Sequence, residues 1–505
     1  MVKLLSMYEH NDRPDYKHPG GSEREISCDI AVLGGGGSGI VAAVRAAQLG
    51  ARVVVIEKMD VLGGNSWYAG GLLTTTSKYQ RALGMEDQTD TYYKKAFQQC
   101  KYTLDPAIFK RYIKNTGTFF EWIADMGLDT DNLRYMWDSV AMIKERKDPG
   151  PLNNPKYGPG LMGSTILSIL YKKLDELGVT VLMETKARSL LTDDEGCVTG
   201  ILADGMTESY RILSKAVILS SGGFGGNPEL LQRFLPQYFT RDNYISHYCR
   251  LATTGEGILM AEDIGAEVGK NISVGIGALT HNPGAYSLQV AFQNDKCIYL
   301  NKNGKRFIAE DDTDDGELVV DMQPEGLAYC FFDESLKDAI VQGFSEPNFF
   351  GDRNPTAEEF AQDLQRETVE GKTCVANTLA EAAAYIGCSE AALTETLERY
   401  NAQVKEGRDG DFFKAPEHLA PIGQAPYYII RLQRNFDVTM GGVSVNEHIQ
   451  AVDSDNRPIP GLYVTGDAAS NWMGTEYGPL FSSFAWAMNS GYLAGEESSA
   501  FIREK

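Results

Sequence analysis

A glycine-rich run near the start of the chain has the residue types and spacing that bind a diphosphate. Residues 34–39 read Gly-Gly-Gly-Gly-Ser-Gly, between an apolar run at 29–33 that predicts a buried strand and an alanine-rich run at 40–50 with helical spacing. Glycines permit a tight turn there, and free N–H groups at the helix start attract an anion. Glu57 ends the next predicted strand, eighteen residues past Gly39, where a carboxylate can accept hydrogen bonds from ribose hydroxyls. We expect a dinucleotide site, with a purely structural glycine turn as the alternative.

A second glycine and acid lie more than four hundred residues further along the chain. Residues 462–467 predict a short buried strand that ends in Gly466 and Asp467. A nicotinamide-binding domain does not need such a distant return. An acid there can bind a ribityl hydroxyl of a flavin, and the helix that follows can direct its N-terminus at the negative charge of the reduced flavin. Glycine-rich segments at 63–66 and 69–71 predict another wall of the site. These features favour FAD.

The elements that must position these residues fall into regions of different periodicity. Residues 85–175 read mostly as helices, and residues 179–223 alternate β-rich runs with turn residues, as an antiparallel meander does. Residues 276–432 mix strands and helices and contain an acidic cluster at 310–315, whereas residues 1–28 read as a polar arm. A chain of 505 residues exceeds what one hydrophobic core usually organises, so at least two domains are expected.

The charge balance excludes broad classes of partner. The chain has 47 basic and 69 acidic side chains, and its formal net charge of −22 repels nucleic acid and anionic membranes. No apolar run approaches about 18 residues and the start has no secretory signal, so we expect no membrane span and a cytoplasmic protein. The eight cysteines show no C-x-x-C spacing and the six histidines no H-x-x-x-H, so no metal site is predicted.

An ordered set of motifs resembles the FAD-dependent fumarate reductase/succinate dehydrogenase flavoprotein family, which includes 3-ketosteroid dehydrogenases and urocanate reductase. From residue 34 to residue 470 the motifs are GGGGSG, VIEK, LGGNSWYAGG, AVILSSGGFGG, TTGEGI, NGKRF, VTMGGVSV and GLYVTGDAAS. The resemblance implies an α/β fold: a Rossmann-type FAD-binding domain, similar to glutathione reductase and with an antiparallel β-meander, built from residues 29–275 and 433–505. It also implies an inserted α+β capping domain at 276–432.

The resemblance further implies which residues hold FAD, and that FAD is bound non-covalently. The implied cofactor-binding residues are Gly34, Gly36, Gly37, Ser38, Gly39, Glu57, Lys58, Gly64, Asn65, Ser66, Ala69, Gly70, Gly71, Ala187, Ser221, Gly222, Thr254, Gly466, Asp467, Leu480, Ser482 and Ser483.

The substrate positions of the family differ here from those of fumarate reductases. Asp314 stands where an arginine donates a proton, Tyr477 where a second arginine holds a carboxylate, and Asp437 lies near the place of a histidine. A dicarboxylate would meet two acids and no arginine, which costs several kcal/mol, so fumarate is not the expected substrate. Tyr477 is similar to the tyrosine of the ketosteroid branch that binds a C3 carbonyl.

Four residues are therefore candidates for catalysis: Tyr477, Asp314, Tyr68 and His281. The Tyr477 hydroxyl and the N–H groups of residues 478–483 could stabilise an enolate, and Asp314 beside other carboxylates would have the raised pKa of a proton donor. Each has a structural alternative: the tyrosines could belong to the core, Asp314 to a solvated loop and His281 to a turn.

We therefore predict an FAD-dependent oxidoreductase acting on CH–CH groups. It would reduce or introduce a C=C bond conjugated to a carbonyl in an enone- or ketosteroid-like substrate, with hydride exchanged at flavin N5. A separate electron donor or acceptor is expected, because the chain shows no second nucleotide-binding motif and no haem motif. The alternatives are an enoate or aryl-acrylate reductase and a flavoprotein subunit that only transfers electrons.

Overall fold

The computed structural model divides into two compact units. It describes residues 3–6, 23–144, 161–236, 243–246, 253–275, 287–288, 291, 294–311, 319–320, 322–343, 355–433, 435–436, 438–475 and 482–504. The first unit comprises Met1–Met7, Arg241–His247 and Ile276–Phe436; the second comprises Tyr8–Thr240, Tyr248–Gly275 and Asp437–Lys505. Among the described residues, no helix combines the length and the apolar character needed to cross a bilayer.

The helices with described bounds follow in chain order: α1 (Gly37–Gln48), α2 (Lys78–Ala82), α3 (Thr89–Gln99), α4 (Pro106–Asp125), α5 (Met162–Glu176), α6 (Pro228–Phe234), α7 (Glu256–Asp263), α8 (Glu334–Gly343), α9 (Ala357–Val369), α10 (Leu379–Ile386), α11 (Glu390–Glu406) and α12 (Ser482–Glu504). The strands are β1 (Lys3–Ser6), β2 (Arg24–Ser27), β3 (Ile30–Leu33), β4 (Val53–Ile56), β5 (Gly71–Leu73), β6 (Leu133–Met136), β7 (Val140–Ile143), β8 (Thr180–Leu182), β9 (Thr185–Thr192), β10 (Val198–Gly205), β11 (Ser209–Leu213), β12 (Ala216–Leu219), β13 (Asn243–Ser246), β14 (Ser273–Gly275), β15 (Ile298–Asn301), β16 (Leu327–Asp333), β17 (Thr373–Ala376), β18 (Tyr427–Gln433), β19 (Asn435–Phe436), β20 (Val438–Met440), β21 (Gln450–Val452) and β22 (Pro458–Val464).

A six-stranded sheet forms the centre of the second unit, in the order β21-β22-β12-β3-β4-β8. Five of these strands are parallel, and β21 runs antiparallel to β22 at the edge. The short apolar sequences of β3, β4 and β12 are buried along their whole length, as parallel strands covered on both faces must be. Because β22 pairs with β12, the last hundred residues of the chain complete a sheet that residues 30–56 begin.

The predicted antiparallel meander is confirmed for β9, β10 and β11, which pair in sequence order. Two neighbouring strands differ from expectation. Strand β8 joins the central sheet instead, in parallel with β4. Strand β2 lies inside the predicted polar arm and pairs in parallel with β11, with Ile26 opposite Ile212. The meander would otherwise present β11 as an open edge, which a short added strand covers.

The region predicted as mostly helical contains α3, α4 and α5, but residues 133–143 differ from the prediction. Strands β6 and β7 form a hairpin there, and β7 also pairs with β5 in a three-stranded sheet. The four residues of β7 are mostly buried. Their pairing with β5 comes from a distant part of the chain, and local periodicity cannot show it.

Helix α4 has clear local signals at its start. The Asp105 carboxylate accepts hydrogen bonds from the N–H groups of Ala107 at 2.8 Å and Ile108 at 3.0 Å, and Pro106 occupies the first turn. Such a cap contributes about 1 kcal/mol. Buried residues at helical spacing, among them Phe109 and Tyr112, face the interior of the second unit.

The first unit is built on the antiparallel sheet β15-β16-β18-β17, and a smaller sheet joins β1, β13 and β19. Its core contains a buried ion network around Arg306 of the NGKRF motif. The guanidinium lies 2.8 Å from Glu310 and 2.9 Å from Asp409, with both carboxylates nearly inaccessible to solvent. Buried charges need such partners, so Arg306 is a structural residue of this unit.

Candidate cofactor site

An open cavity of about 970 Å³ lies in the second unit, where the carboxyl ends of β3, β4, β12 and β22 meet. In a doubly wound sheet this is the edge at which ligands bind. Predicted cofactor residues that line it are Gly34, Gly36, Gly37, Ser38, Glu57, Lys58, Gly64, Asn65, Ser66, Ala187, Ser221, Gly222, Gly466 and Asp467.

The glycine turn between β3 and α1 leaves room for a diphosphate. Gly34 has a φ of +106°, and a Cβ atom there would lie 2.3 Å from the Ser220 carbonyl oxygen. A Cβ atom on Gly36 would instead meet nothing within 4 Å, because this side of the turn faces open space. Helix α1 has neither a capping side chain nor an acid in its first turn. Its free N–H groups and positive dipole end are therefore available to an anion.

Glu57 presents a buried carboxylate at the end of β4. Its Oε2 accepts a hydrogen bond from the Gly35 N–H at 2.7 Å, and its Oε1 accepts one from the Met59 N–H at 2.8 Å. Burial raises the pKa of Glu57, and these backbone donors oppose the increase. The carboxylate also lines the cavity, so its remaining lone pairs can accept hydrogen bonds from two ribose hydroxyls.

A polar cluster stands beside Glu57. The Lys58 ammonium donates to Thr254 Oγ1 at 2.7 Å and lies 3.0 Å from Glu256, while Lys186 lies 3.2 Å from the same carboxylate. Burial acts to raise the pKa of Glu256, but the Lys58 charge and the Thr254 hydroxyl outweigh it and lower the pKa to about 2. Thr254 thus contacts a lining residue without lining the cavity itself.

Asp467 occupies the other end of the cavity, after β22. Ser483 Oγ lies 3.5 Å from its carboxylate, and burial raises the pKa of Asp467 to about 7. A partly buried acid of this kind gains from a hydroxyl donor, which the ribityl chain of a flavin supplies.

Two further buried polar atoms test whether FAD fits. Among the described residues, Asn65 Oδ1 and Ser221 Oγ have no hydrogen-bond partner, and both residues line the cavity. Unpaired buried polar atoms are costly, so a ligand with several donors and acceptors is the natural partner. A diphosphate cradle, a ribose acid, a second buried acid and these two atoms together match the polar groups of FAD.

Other predicted residues lie elsewhere. Gly39 packs α1 against the turn, since a Cβ atom there would lie 2.0 Å from the Gly34 carbonyl oxygen. Tyr68 is half-buried at the end of the 3-10 helix Gly64–Tyr68 and does not line the cavity. Predicted residues that are described but do not line the cavity are Gly39, Tyr68, Ala69, Gly70, Gly71, Thr254, Ser482 and Ser483. Predicted residues outside the described part of the chain are Asp314, His281, Tyr477 and Leu480, and so is Asp437, the other substrate position.

Sequence reasoning missed several residues that line the cavity. They are Leu33, Ile56, Met59, Val61, Thr185, Lys186, Ser220, Thr253, Glu256, Gly257, Met260 and Ala487. Half of them are immediate neighbours of predicted residues, and the TTGEGI motif contains Thr253, Glu256 and Gly257. Within the part of the chain that is described, no cluster of His, Cys, Asp and Glu could hold a metal ion.

The fold and the cavity define a Rossmann-type flavoprotein, and comparison with known families agrees. The family described as "FAD binding domain" matches residues 29–479, so the chain belongs to it. The predicted fold class, the cofactor FAD and the resemblance to the fumarate reductase flavoproteins are thereby confirmed.

Three curated relatives are similar over most of the chain. Vinyl phenol reductase of Lactiplantibacillus plantarum is 27% identical, over 95% of this chain and 98% of that protein. Urocanate reductase of Eggerthella lenta is 29% identical, over 88% of this chain and 70% of that protein. NADH:fumarate oxidoreductase of Klebsiella pneumoniae is 27% identical over 87% of this chain, which spans only 44% of that protein.

Two solved structures show the same fold. An open conformation of a flavocytochrome c3 fumarate reductase has a TM-score of 0.73 and 24% identity, over 96% of this chain and 79% of that chain. A 3-ketosteroid Δ1-dehydrogenase from Sterolibacterium denitrificans has a TM-score of 0.71 and 20% identity, over 94% of this chain and 99% of that chain.

Proposed function

We propose that the protein is an FAD-dependent oxidoreductase that reduces or introduces a C=C bond conjugated to a carbonyl in a largely apolar substrate. The cavity with acids at two separate positions, Glu57 and Asp467, carries the cofactor part of this proposal. The family relatives support it, since they are reductases of fumarate, urocanate and vinyl phenol.

Residues of this chain would hold FAD in an extended conformation, without a covalent bond. The N–H groups at the start of α1 would bind the diphosphate, Glu57 the ribose hydroxyls and Asp467 a ribityl hydroxyl. Bound in this way, FAD supplies hydride exchange with a carbon of the substrate. We assign cofactor binding to residues 29–275 and 433–505 and a capping role to residues 276–432.

Substrate selection follows from three positions at which fumarate reductases carry cationic residues. Here they are Asp314, Asp437 and Tyr477, so a dicarboxylate finds no arginine clamp at them. The Tyr477 hydroxyl would polarise a substrate carbonyl, and Asp314 would move the proton. Tyr68 and His281 remain further candidates for proton transfer.

A second candidate substrate class is a vinyl group conjugated to a phenol ring. The vinyl phenol reductase is matched over nearly its whole length, and its named substrate carries no carboxylate. This agrees with the missing arginine clamp, and a phenol oxygen could be held by the same tyrosine that would hold a carbonyl.

Electrons would come from, or pass to, a separate donor or acceptor. The chain spans less than half of the Klebsiella relative, whose name includes NADH.

The decisive experiment uses the flavin spectrum as the readout. The purified holoprotein is photoreduced without oxygen and mixed separately with an enone steroid, 4-vinylphenol, a cinnamate, urocanate and fumarate. Rapid reoxidation of the flavin by the enone steroid supports the proposal. Reoxidation of the flavin by 4-vinylphenol alone supports the second candidate substrate class. Reoxidation by urocanate, cinnamate or fumarate contradicts the clamp argument, and reoxidation by none of them indicates an electron-transfer subunit.

A further inference from the structure

Three aromatic side chains in the second unit form a tight cluster next to the start of α12. The Trp472 and Trp486 rings stack at a centroid distance of 4.8 Å and an interplanar angle of 7°. Tyr112 of α4 meets both edge-on, at 6.0 Å and 5.5 Å. All three are fully buried, so the polar groups that they carry are held in well-defined positions.

Two of the three polar groups of this cluster, those of Tyr112 and Trp486, contact the first turn of α12 and the wall of the cofactor cavity. The Tyr112 hydroxyl donates to the Ser482 carbonyl oxygen at 3.0 Å. The Trp486 indole N–H donates to the Gly466 carbonyl oxygen, also at 3.0 Å. Gly466 and Ala487, which lies in the second turn of α12, both line the cavity, and Ser483 in the first turn lies 3.5 Å from the lining residue Asp467. The start of α12 is therefore held next to the cavity wall.

The segment that leads into α4 contacts the chain on the other side of this cluster. The Asp105 N–H donates to the Asn471 carbonyl oxygen at 2.8 Å, and the Thr475 N–H donates to Thr103 Oγ1 at 3.1 Å. Residues 103–112 therefore hold both residues 471–475 and the first residue of α12. A displacement of α4 would be transmitted to the cavity wall.

We propose that Tyr112 is a positioning residue for the cofactor site, in which its hydroxyl fixes the N-terminus of α12 relative to the bound flavin. This inference rests on the proposed function, because it requires FAD in the cavity. The N-terminus of a helix carries partial positive charge, which stabilises the negative charge that a flavin gains on reduction, and the effect falls off within a turn. Loosening this helix start weakens binding of the reduced cofactor more than that of the oxidised one.

The test compares two tyrosine variants in the holoprotein. Tyr112→Phe keeps the aromatic ring and removes the hydroxyl at the start of α12. Tyr463→Phe is the matched control, because Tyr463 is also buried and its hydroxyl also donates to a carbonyl oxygen of α12. That carbonyl belongs to Glu497, at 3.5 Å, which lies fifteen residues beyond Ser482. The midpoint potential of bound flavin is measured against a reference dye without substrate.

We expect Tyr112→Phe to weaken binding of the reduced cofactor, relative to the oxidised cofactor, by about three- to tenfold. The midpoint potential should fall accordingly, and a tenfold change equals about 30 mV for a two-electron couple. The control should stay at the wild-type potential. An unchanged potential in Tyr112→Phe, or equal shifts in both variants, would overturn the proposal. If Tyr112→Phe fails to fold, Trp486→Phe must lower the potential in its place. A wild-type protein that retains no flavin would refute the proposed function instead.

Discussion

Asp467, the partly buried acid that follows β22, makes the stability of the flavin-free protein depend on pH. Asp467 lines the cavity and is partly buried, and this burial raises its pKa from 3.8 to about 7. Its charged form is therefore less stable in the folded than in the unfolded chain. This contribution to stability is most favourable below about pH 4, falls as the pH rises toward 7, and is constant above that.

The size of the effect follows from the two pKa values. Between about pH 5.5 and about pH 8.5, the folded form should lose about 2 kcal/mol through Asp467 alone. Asp467→Asn removes the titration and keeps nearly the same shape. The difference in unfolding free energy between the variant and the wild type should thus move by about 2 kcal/mol in favour of the variant at the higher pH.

Urea unfolding of the flavin-free proteins, followed by tryptophan fluorescence, measures this difference at both pH values. Asp194→Asn serves as the control, because Asp194 is exposed in a turn of the meander and should follow the wild type. Equal pH dependence in the wild type and Asp467→Asn would refute the reasoning, since it would mean that this carboxylate is as well solvated in the folded protein as in the unfolded chain.

Four further substitutions test other parts of the argument. Tyr477→Phe should lower turnover by about 100-fold with FAD retained, and near-normal turnover would exclude its proposed role. Glu57→Gln should weaken FAD binding by about tenfold in a fluorescence titration, since an anionic acceptor becomes a neutral amide; unchanged affinity would contradict a ribose contact. Gly34→Ala should destabilise the flavin-free protein by at least about 1–3 kcal/mol in urea, because a positive φ and a 2.3 Å approach both oppose a side chain. Arg306→Met should cost about 3–5 kcal/mol by breaking the buried ion pairs of Arg306 with Asp409 and with Glu310, although Glu310 keeps Lys414 at 3.2 Å, and a small loss would mean that water reaches the two carboxylates.

Much of the cofactor site could be predicted from the sequence, because its signals are local. The glycine run, its flanking strand and helix and the acid at Glu57 lie within a few tens of residues of one another, and each has a direct physical reason. The pairing of β7 with β5 could not be predicted, because the four-residue β7 has no periodicity of its own. The pairing of β8 could not be predicted either, because β8 directly precedes the meander in sequence but pairs with β4 in the central sheet.

The roles of some missed residues depend on distant contacts. Glu256 follows a predicted residue closely, yet its role depends on Lys58, which follows β4, and on Lys186 in β9. Tyr112 has only the pattern of a core tyrosine in its helix, and its hydrogen bond to Ser482 crosses 370 residues of sequence.

The amino-acid sequence by itself determined the cofactor class, because a diphosphate cradle and a ribose acid depend on residue types at short, fixed spacing. It also determined that the two chain ends share one domain, through the second glycine and acid at Gly466 and Asp467. Only the tertiary structure decided how that site is electrostatically tuned. The pKa of Asp467 and the place of α12 depend on burial and on hydrogen bonds between elements far apart in sequence, and such contacts arise only when the chain folds.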